Sequence, residues 1–137
     1  MNALQRSVLL LSLLHLVLGT EAKVYVYIVN RLGKGRSMTL RYKSKNNDLG
    51  YQVVKDGAEV HWRFGVNFWR TTLFYCNVKW GNSPRYHFDA YSDDRDYERC
   101  LHKCLWQIRR CGTLYGYNEA SRKWEKFAFK NKPDFET

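Results

Sequence analysis

Beyond the N-terminal apolar run, the chain carries three histidines, His61, His87 and His102, its candidates for acid–base chemistry near neutral pH. In a basic protein two histidines can exchange the roles of base and acid while a lysine or arginine stabilises an anionic transition state, which is ribonuclease chemistry. Here each histidine falls on the polar face of an expected strand or in a cysteine-flanked loop, where a solvated imidazole is ordinary. No Gly-x-Ser-x-Gly elbow, phosphate loop or His-Glu-x-x-His run accompanies them. We therefore expect no catalytic residues and no cofactor. A secreted ribonuclease or a basic antimicrobial effector is the alternative.

The other reactive groups are Cys76, Cys100, Cys104 and Cys111, which permit two bridges in three pairings. Cys100-Leu-His102-Lys-Cys104 offers two thiolates and an imidazole, but it lacks a second ligand pair at zinc-finger spacing, and no metal site is expected. Asp89, Asp93, Asp94, Asp96 and Glu98 cluster carboxylates that a calcium ion could use. Their spacing is not that of an EF-hand, and Arg95 interrupts them, so they read as a solvated acidic loop.

Positive charge dominates, at +10 for the chain, grouped at residues 34–45, Arg109-Arg110 and residues 122–132. Such groups attract polyanions, among them an anionic cell wall or membrane surface, or simply keep an aromatic-rich domain in solution. No RNA-recognition motif, zinc finger or helix-turn-helix accompanies the charge, and nucleic acid is not an expected partner.

The elements that must position these groups are short strands. Val24, Val26 and Ile28 alternate with Tyr25, Tyr27 and Val29; Met38, Leu40 and Tyr42 alternate with Thr39 and Arg41; Val60, Trp62 and Phe64 alternate with Glu59, His61 and Arg63. Further strands are expected over 51–54, 71–78, 85–91, 106–109, 114–117 and 122–129, with turns at 31–36, 55–57, 80–84 and 110–112. Tyr97, Cys100, Leu101, Cys104 and Leu105 also fit a helical spacing, so a helical turn is possible there. About eight strands separated by frequent turns predict an all-β antiparallel sandwich. Trp69 and Tyr91 are expected at its surface, to cover the sandwich end or meet a partner.

Ahead of these strands, Arg6, the apolar run Val8 to Leu18 and the small-residue site Thr20-Glu21-Ala22 have the order of a secretory signal peptide, residues 1–22. The apolar run is too short to cross a bilayer. The mature domain is then residues 23–137, extracellular, in a compartment where disulfides persist.

Three motifs carry a resemblance: Val26-Tyr-Ile-Val-Asn30-Arg-Leu32, Lys43-Ser-Lys-Asn-Asn-Asp48-Leu49-Gly50, and Thr72-Leu-Phe74-Tyr-Cys76-Asn-Val-Lys-Trp80. With Arg95-Asp96, Cys100 and Cys104-Leu-Trp106 they resemble the plant self-incompatibility protein S1 family over essentially the whole mature chain. The resemblance implies a secreted β-sandwich without known catalysis. It also implies a ligand for a cell-surface receptor, which in poppy members leads to rejection of self pollen. Loops on a rigid scaffold would be the receptor surface, with Asn46, Asn47, Asp48, Asp93, Asp94, Arg95 and Asp96 as candidates. Leu49 and Gly50 are expected to serve strand entry and turn geometry. Family members usually carry a cysteine where this chain has Tyr42, and this chain adds Cys111. The resemblance then implies a Cys76–Cys100 bridge, with Cys104 and Cys111 paired by altered geometry or partly free.

The leader reading has a direct check. Intact-mass and N-terminal analysis of the protein secreted from plant cells should find Lys23 as the first residue; a mature chain that retains Val8 to Leu18 overturns it.

Overall fold

A computed structural model describes residues 2–19, 23–45, 48–65 and 72–130. The first element, α1 (Ala3–Gly19), is a helix whose described side chains, residues 2–11, are all exposed. No helix among the described residues is long and apolar enough to cross a membrane.

The domain that follows is built from nine strands: β1 (Lys23–Arg31), β2 (Met38–Ser44), β3 (Asp48–Val54), β4 (Glu59–Gly65), β5 (Leu73–Lys79), β6 (Tyr86–Ser92), β7 (Lys103–Arg109), β8 (Thr113–Asn118) and β9 (Lys123–Phe127). They form a five-stranded sheet in the order β4-β1-β7-β8-β9 and a four-stranded sheet in the order β3-β2-β5-β6. The sandwich expected from alternation is therefore present. Its period-two pattern holds where it was clearest: Val24, Val26, Ile28, Met38, Leu40 and Tyr42 are all buried.

Two features depart from the expectation. The helical turn, α2 (Asp93–Asp96), lies just before the segment whose spacing suggested one, and Lys103 to Arg109 is strand. The apolar spacing of residues 97–105 instead reflects a turn that returns the chain to the sheet. Pairing is also less sequential than short turns imply, because β1 and β2 belong to different sheets. β1 pairs antiparallel with β4 and parallel with β7.

Aromatic rings fill the space between the sheets. Trp106 is fully buried and donates its indole N–H to the Ala90 carbonyl at 2.8 Å, which ties β7 to β6 in the opposite sheet. Phe88 and Phe127 meet its ring edge-on, at centroid distances of 5.3 and 5.0 Å. Gly116 on β8 makes this packing possible, since a Cβ there would lie 2.9 Å from Trp106 and 2.8 Å from Phe127. Tyr42 stacks flat on Trp62 at 3.9 Å, again joining the two sheets. Tyr91 is buried against Phe64 rather than exposed, because it follows a register shift in the β5–β6 ladder. Trp69 lies outside the described residues.

The disulfide differs from the implied one. Cys100 bridges Cys104, with their Cα atoms 5.1 Å apart, while Cys76 is a buried free thiol and Cys111 an exposed one. The turn after α2 folds Cys100 back onto the start of β7, which satisfies the distance a bridge needs within four residues. Cys76 sits in the other sheet, and its direct cross-strand partner is Tyr42. Cys104 and Cys111 stand at opposite ends of β7, roughly 20 Å apart for an extended run of this length. Burial raises the Cys76 thiol pKa well above its ordinary value, which keeps it protonated and inert.

Peptide mapping of the oxidised protein should therefore recover a Cys100–Cys104 link. An alkylating reagent should label Cys111 at once and Cys76 only after denaturation. A Cys76–Cys100 linked peptide would overturn this pairing.

Candidate functional site

The loops suggested by resemblance occupy one end of the sandwich, where the β2–β3 connection and α2 lie. Asn46 and Asn47 fall outside the described residues. Asp48 opens β3 and is exposed; it accepts a forked pair of hydrogen bonds from Arg41 and one from the Gly50 amide at 3.0 Å. These bonds, led by the Arg41 guanidinium, hold its carboxyl down at about 2. Arg41 in turn lies over the Tyr51 ring at 4.9 Å, so a carboxylate, a guanidinium and a ring form one fixed surface group on β2 and β3. Gly50 adopts a φ of 79°, which a residue with Cβ rarely does, and this bend lets its amide reach Asp48. That agrees with the turn role expected for it.

The acidic segment is not a solvated loop. Asp93 and Asp96 are buried, and only Asp94 of the three α2 aspartates is exposed. Asp93 accepts the Tyr91 hydroxyl at 3.0 Å. Asp96 accepts the Ser92 amide at 2.9 Å, the Arg99 Nε–H at 2.8 Å and two N–H groups of Arg95 at 2.7 and 2.6 Å. Arg95 also donates to the Asp89 carbonyl, and Arg99 to the Tyr117 carbonyl. Both guanidiniums cover the buried indole of Trp106, at 4.5 Å for Arg99 and 5.1 Å for Arg95. Asp93, Asp96 and Arg95 thus hold α2 onto the sandwich. The physical reason is that burying a carboxylate costs far less when two guanidiniums hydrogen-bond it, as Arg95 and Arg99 do for Asp96. Asp89 is likewise engaged, by Lys130 at 2.7 Å.

His61 and His87 do not converge on one site. His61 lies on the outer face of the five-stranded sheet, stacked on Tyr27 at 5.2 Å. His87 lies on the outer face of the other sheet, paired with Asn77 at 2.8 Å and, by partial burial, shifted to a lower pKa. An acid–base pair acting on one phosphate needs both imidazoles on the same side of the molecule.

The opposite end of the sandwich is where sequence reasoning saw separate groups and the fold makes one. The connections 32–37, 55–58, 80–85 and 110–112 all lie there, as the β1–β7 and β2–β5 registers require. They bring Arg31, Lys34, Arg36, Lys55, Lys79, Arg85, Arg109 and Arg110 together, against Asp56 and Glu59. Asn30 builds this end. It is fully buried, donates from Nδ2 to the Arg36 and Val54 carbonyls at 2.9 Å each, and accepts the Leu32 amide at 2.9 Å. Asp56 accepts the amides of Gly33 and Gly35, pinning the same loop. A polar residue continuing the inward register of Val24, Val26 and Ile28 was the available signal for Asn30.

The two ends respond differently to mutation. Asp96→Ala, which strands the buried Arg99 guanidinium and frees the half-buried one of Arg95, should lower unfolding stability in urea by about 3–5 kcal/mol. Asp94→Asn should stay within about 0.5 kcal/mol. Equal, small effects would mean that the Asp96 network holds nothing.

Comparison with known proteins agrees with this architecture. The family model for plant self-incompatibility protein S1 matches residues 25–129. Self-incompatibility protein S1 of Papaver rhoeas is 38% identical over 103 residues, covering 74% of this chain and 73% of that protein. S-protein homolog 19 of Arabidopsis thaliana is 38% identical over 91 residues, covering 65% and 66%. A solved self-incompatibility protein homologue, from a family described as small, highly stable, secreted plant proteins, shares the fold with a TM-score of 0.57 at 15% identity, covering 83% of this chain and 95% of that one. With the match running from β1 to the residues after β9, this chain belongs to the plant self-incompatibility protein S1 family.

Proposed function

We propose that the protein is a secreted plant recognition ligand that acts by binding a cell-surface receptor protein rather than by catalysis. The observation that carries this reading is its 38% identity to self-incompatibility protein S1 across 103 residues. Secretion follows from membership in a family of small secreted plant proteins. Residues 1–22 act as the cleaved leader, a role that suits a helix whose described side chains are exposed.

The receptor surface is the β2–β3 connection, Asn46, Asn47 and Asp48, together with Asp94 on the exposed side of α2. The fixed Arg41–Asp48 pair gives that surface a defined shape and charge, which lowers the ordering cost of binding. The separation of His61 and His87 on different sheets supports action without turnover.

Equilibrium binding of labelled, oxidised, secreted protein to plant plasma-membrane vesicles tests the proposal. Saturable binding that unlabelled protein competes away, that survives near-physiological salt and that weakens in Asp48→Asn is expected. Association that collapses as salt is raised reflects charge alone and overturns the receptor reading. Cleavage of RNA by the wild type, lost in His61→Ala or His87→Ala, overturns it in favour of an enzyme.

A further inference from the structure

The outward face of the five-stranded sheet ends in a depression of about 370 Å³ lined by Arg31, Gln107, Arg109, Arg110, Thr113 and Tyr115. Arg31 and Arg109 are direct partners across the β1–β7 ladder. Like charges set opposite each other on neighbouring strands destabilise a sheet. Arg110 follows immediately, and among the described residues none of the three takes part in an ion pair. The domain thus keeps three guanidiniums together while Asp56 and Glu59, the acids of this end, form an ion pair with none of them among the described residues.

Arg109 and Arg110 are also held in place. The Arg109 guanidinium lies 3.9 Å above the Tyr115 ring centre and 5.3 Å from that of Trp124, and its Nε–H is donated to Gln107 at 2.9 Å. Its terminal nitrogens have no protein acceptor among the described residues. Arg110 lies against Gly33, where a Cβ would come within 3.1 Å of its Nε. Guanidiniums fixed by rings and backbone, with donors left over, are prepared for a forked bond to an oxyanion.

The surroundings narrow the oxyanion. Leading away from the depression across the sheet are Tyr115, Tyr117 and Trp124, with Tyr117 and Trp124 cross-strand partners. Such rings, on strands about 4.8 Å apart, offer flat apolar faces at roughly the spacing of sugar units. A pyranose ring lays its C–H face on an aromatic ring and presents its carboxylate at the edge. A lipid surface would call for protruding apolar side chains. Of the exposed large hydrophobic residues in the described domain, Leu49, Tyr51, Val53 and Leu73 belong to the other sheet, Tyr97 and Leu101 to the turn between α2 and β7, and Trp124 to this face.

We propose that this face is a binding site for a linear acidic polysaccharide, whose uronate carboxylates are taken by Arg31, Arg109 and Arg110 and whose sugar ring rests on the exposed Trp124. The site is separate from the receptor surface and does not rest on it.

The test is calorimetric titration of the oxidised secreted protein with de-esterified polygalacturonate and with its fully methyl-esterified form, at fixed salt. Binding is expected for the free acid and loss of binding for the ester. Arg109→Gln should weaken it roughly tenfold, the scale of a charge-assisted hydrogen bond. Lys123→Gln, the same charge change at the far end of the sheet, should move it by no more than about twofold. Trp124→Ala should weaken it without altering net charge. Arg31→Gln should leave the denaturation midpoint unchanged or raised, because it relieves the Arg31–Arg109 repulsion. Equal losses in Arg109→Gln and Lys123→Gln, equal binding of the methyl ester, or tighter binding to phosphatidylserine vesicles or single-stranded RNA would each overturn the proposal.

Discussion

Asp96, fully buried, accepts hydrogen bonds from both Arg95 and Arg99, and the two guanidiniums lie over Trp106, whose indole N–H reaches across to Ala90. This stack joins α2, β6, β7 and, through the Tyr117 carbonyl, β8. Replacing such a network by apolar residues can be neutral, so its presence is not in itself a source of net stability. What it imposes is a constraint. Each charge is tolerable only while the others are in place, and this fixes where α2 sits and sends the following turn back to β7. The Cys100–Cys104 bridge closes that turn, and the exposed surface near Asp94 inherits its position from the same buried charges.

The constraint divides the molecule electrostatically. Acidic side chains at the α2 end are largely consumed internally, by Arg95, Arg99, Tyr91 and Lys130. The opposite end collects guanidinium and ammonium groups around Asn30, which holds its loops by three hydrogen bonds and no charge. A small domain with few acids to spare thus spends them inside one end and leaves the other end positive. Two surfaces of different chemistry result, a compact charged pair near Asp48 and a ring-and-guanidinium face near Arg109.

The family resemblance implies a cysteine where this chain carries Tyr42. Tyr42 stands opposite Cys76 in the β2–β5 ladder and fills the space between sheets by stacking on Trp62 and Phe74. An aromatic stack there contributes burial and ring contact in place of a covalent tie. Its hydroxyl is buried without a hydrogen-bond partner among the described residues, a cost that cysteine at this position would not carry. Burial also raises the Tyr42 pKa, so the ring stays neutral beside the Cys76 thiol.

Alternation alone placed most of the strands, because side chains that point to opposite faces every other residue leave a signature in any half-buried sheet. The family motifs in β1, the β2–β3 connection and β5 were equally legible. The acidic segment was misread, since nothing local reveals that Asp96 lies between two arginines that themselves rest on a distant tryptophan. The bridge was misread for a related reason: Cys100 and Cys104 are close only because α2 reverses the chain. Likewise, Arg31 and Arg109–Arg110 are far apart in sequence and become neighbours through a parallel β1–β7 pairing that no short-range pattern encodes. Period-two patterning and charge are properties of consecutive residues, and the sequence by itself determined them. Which charges meet, which thiols bridge and which face carries the arginines depend on strand order between sheets, and only the tertiary structure decided those.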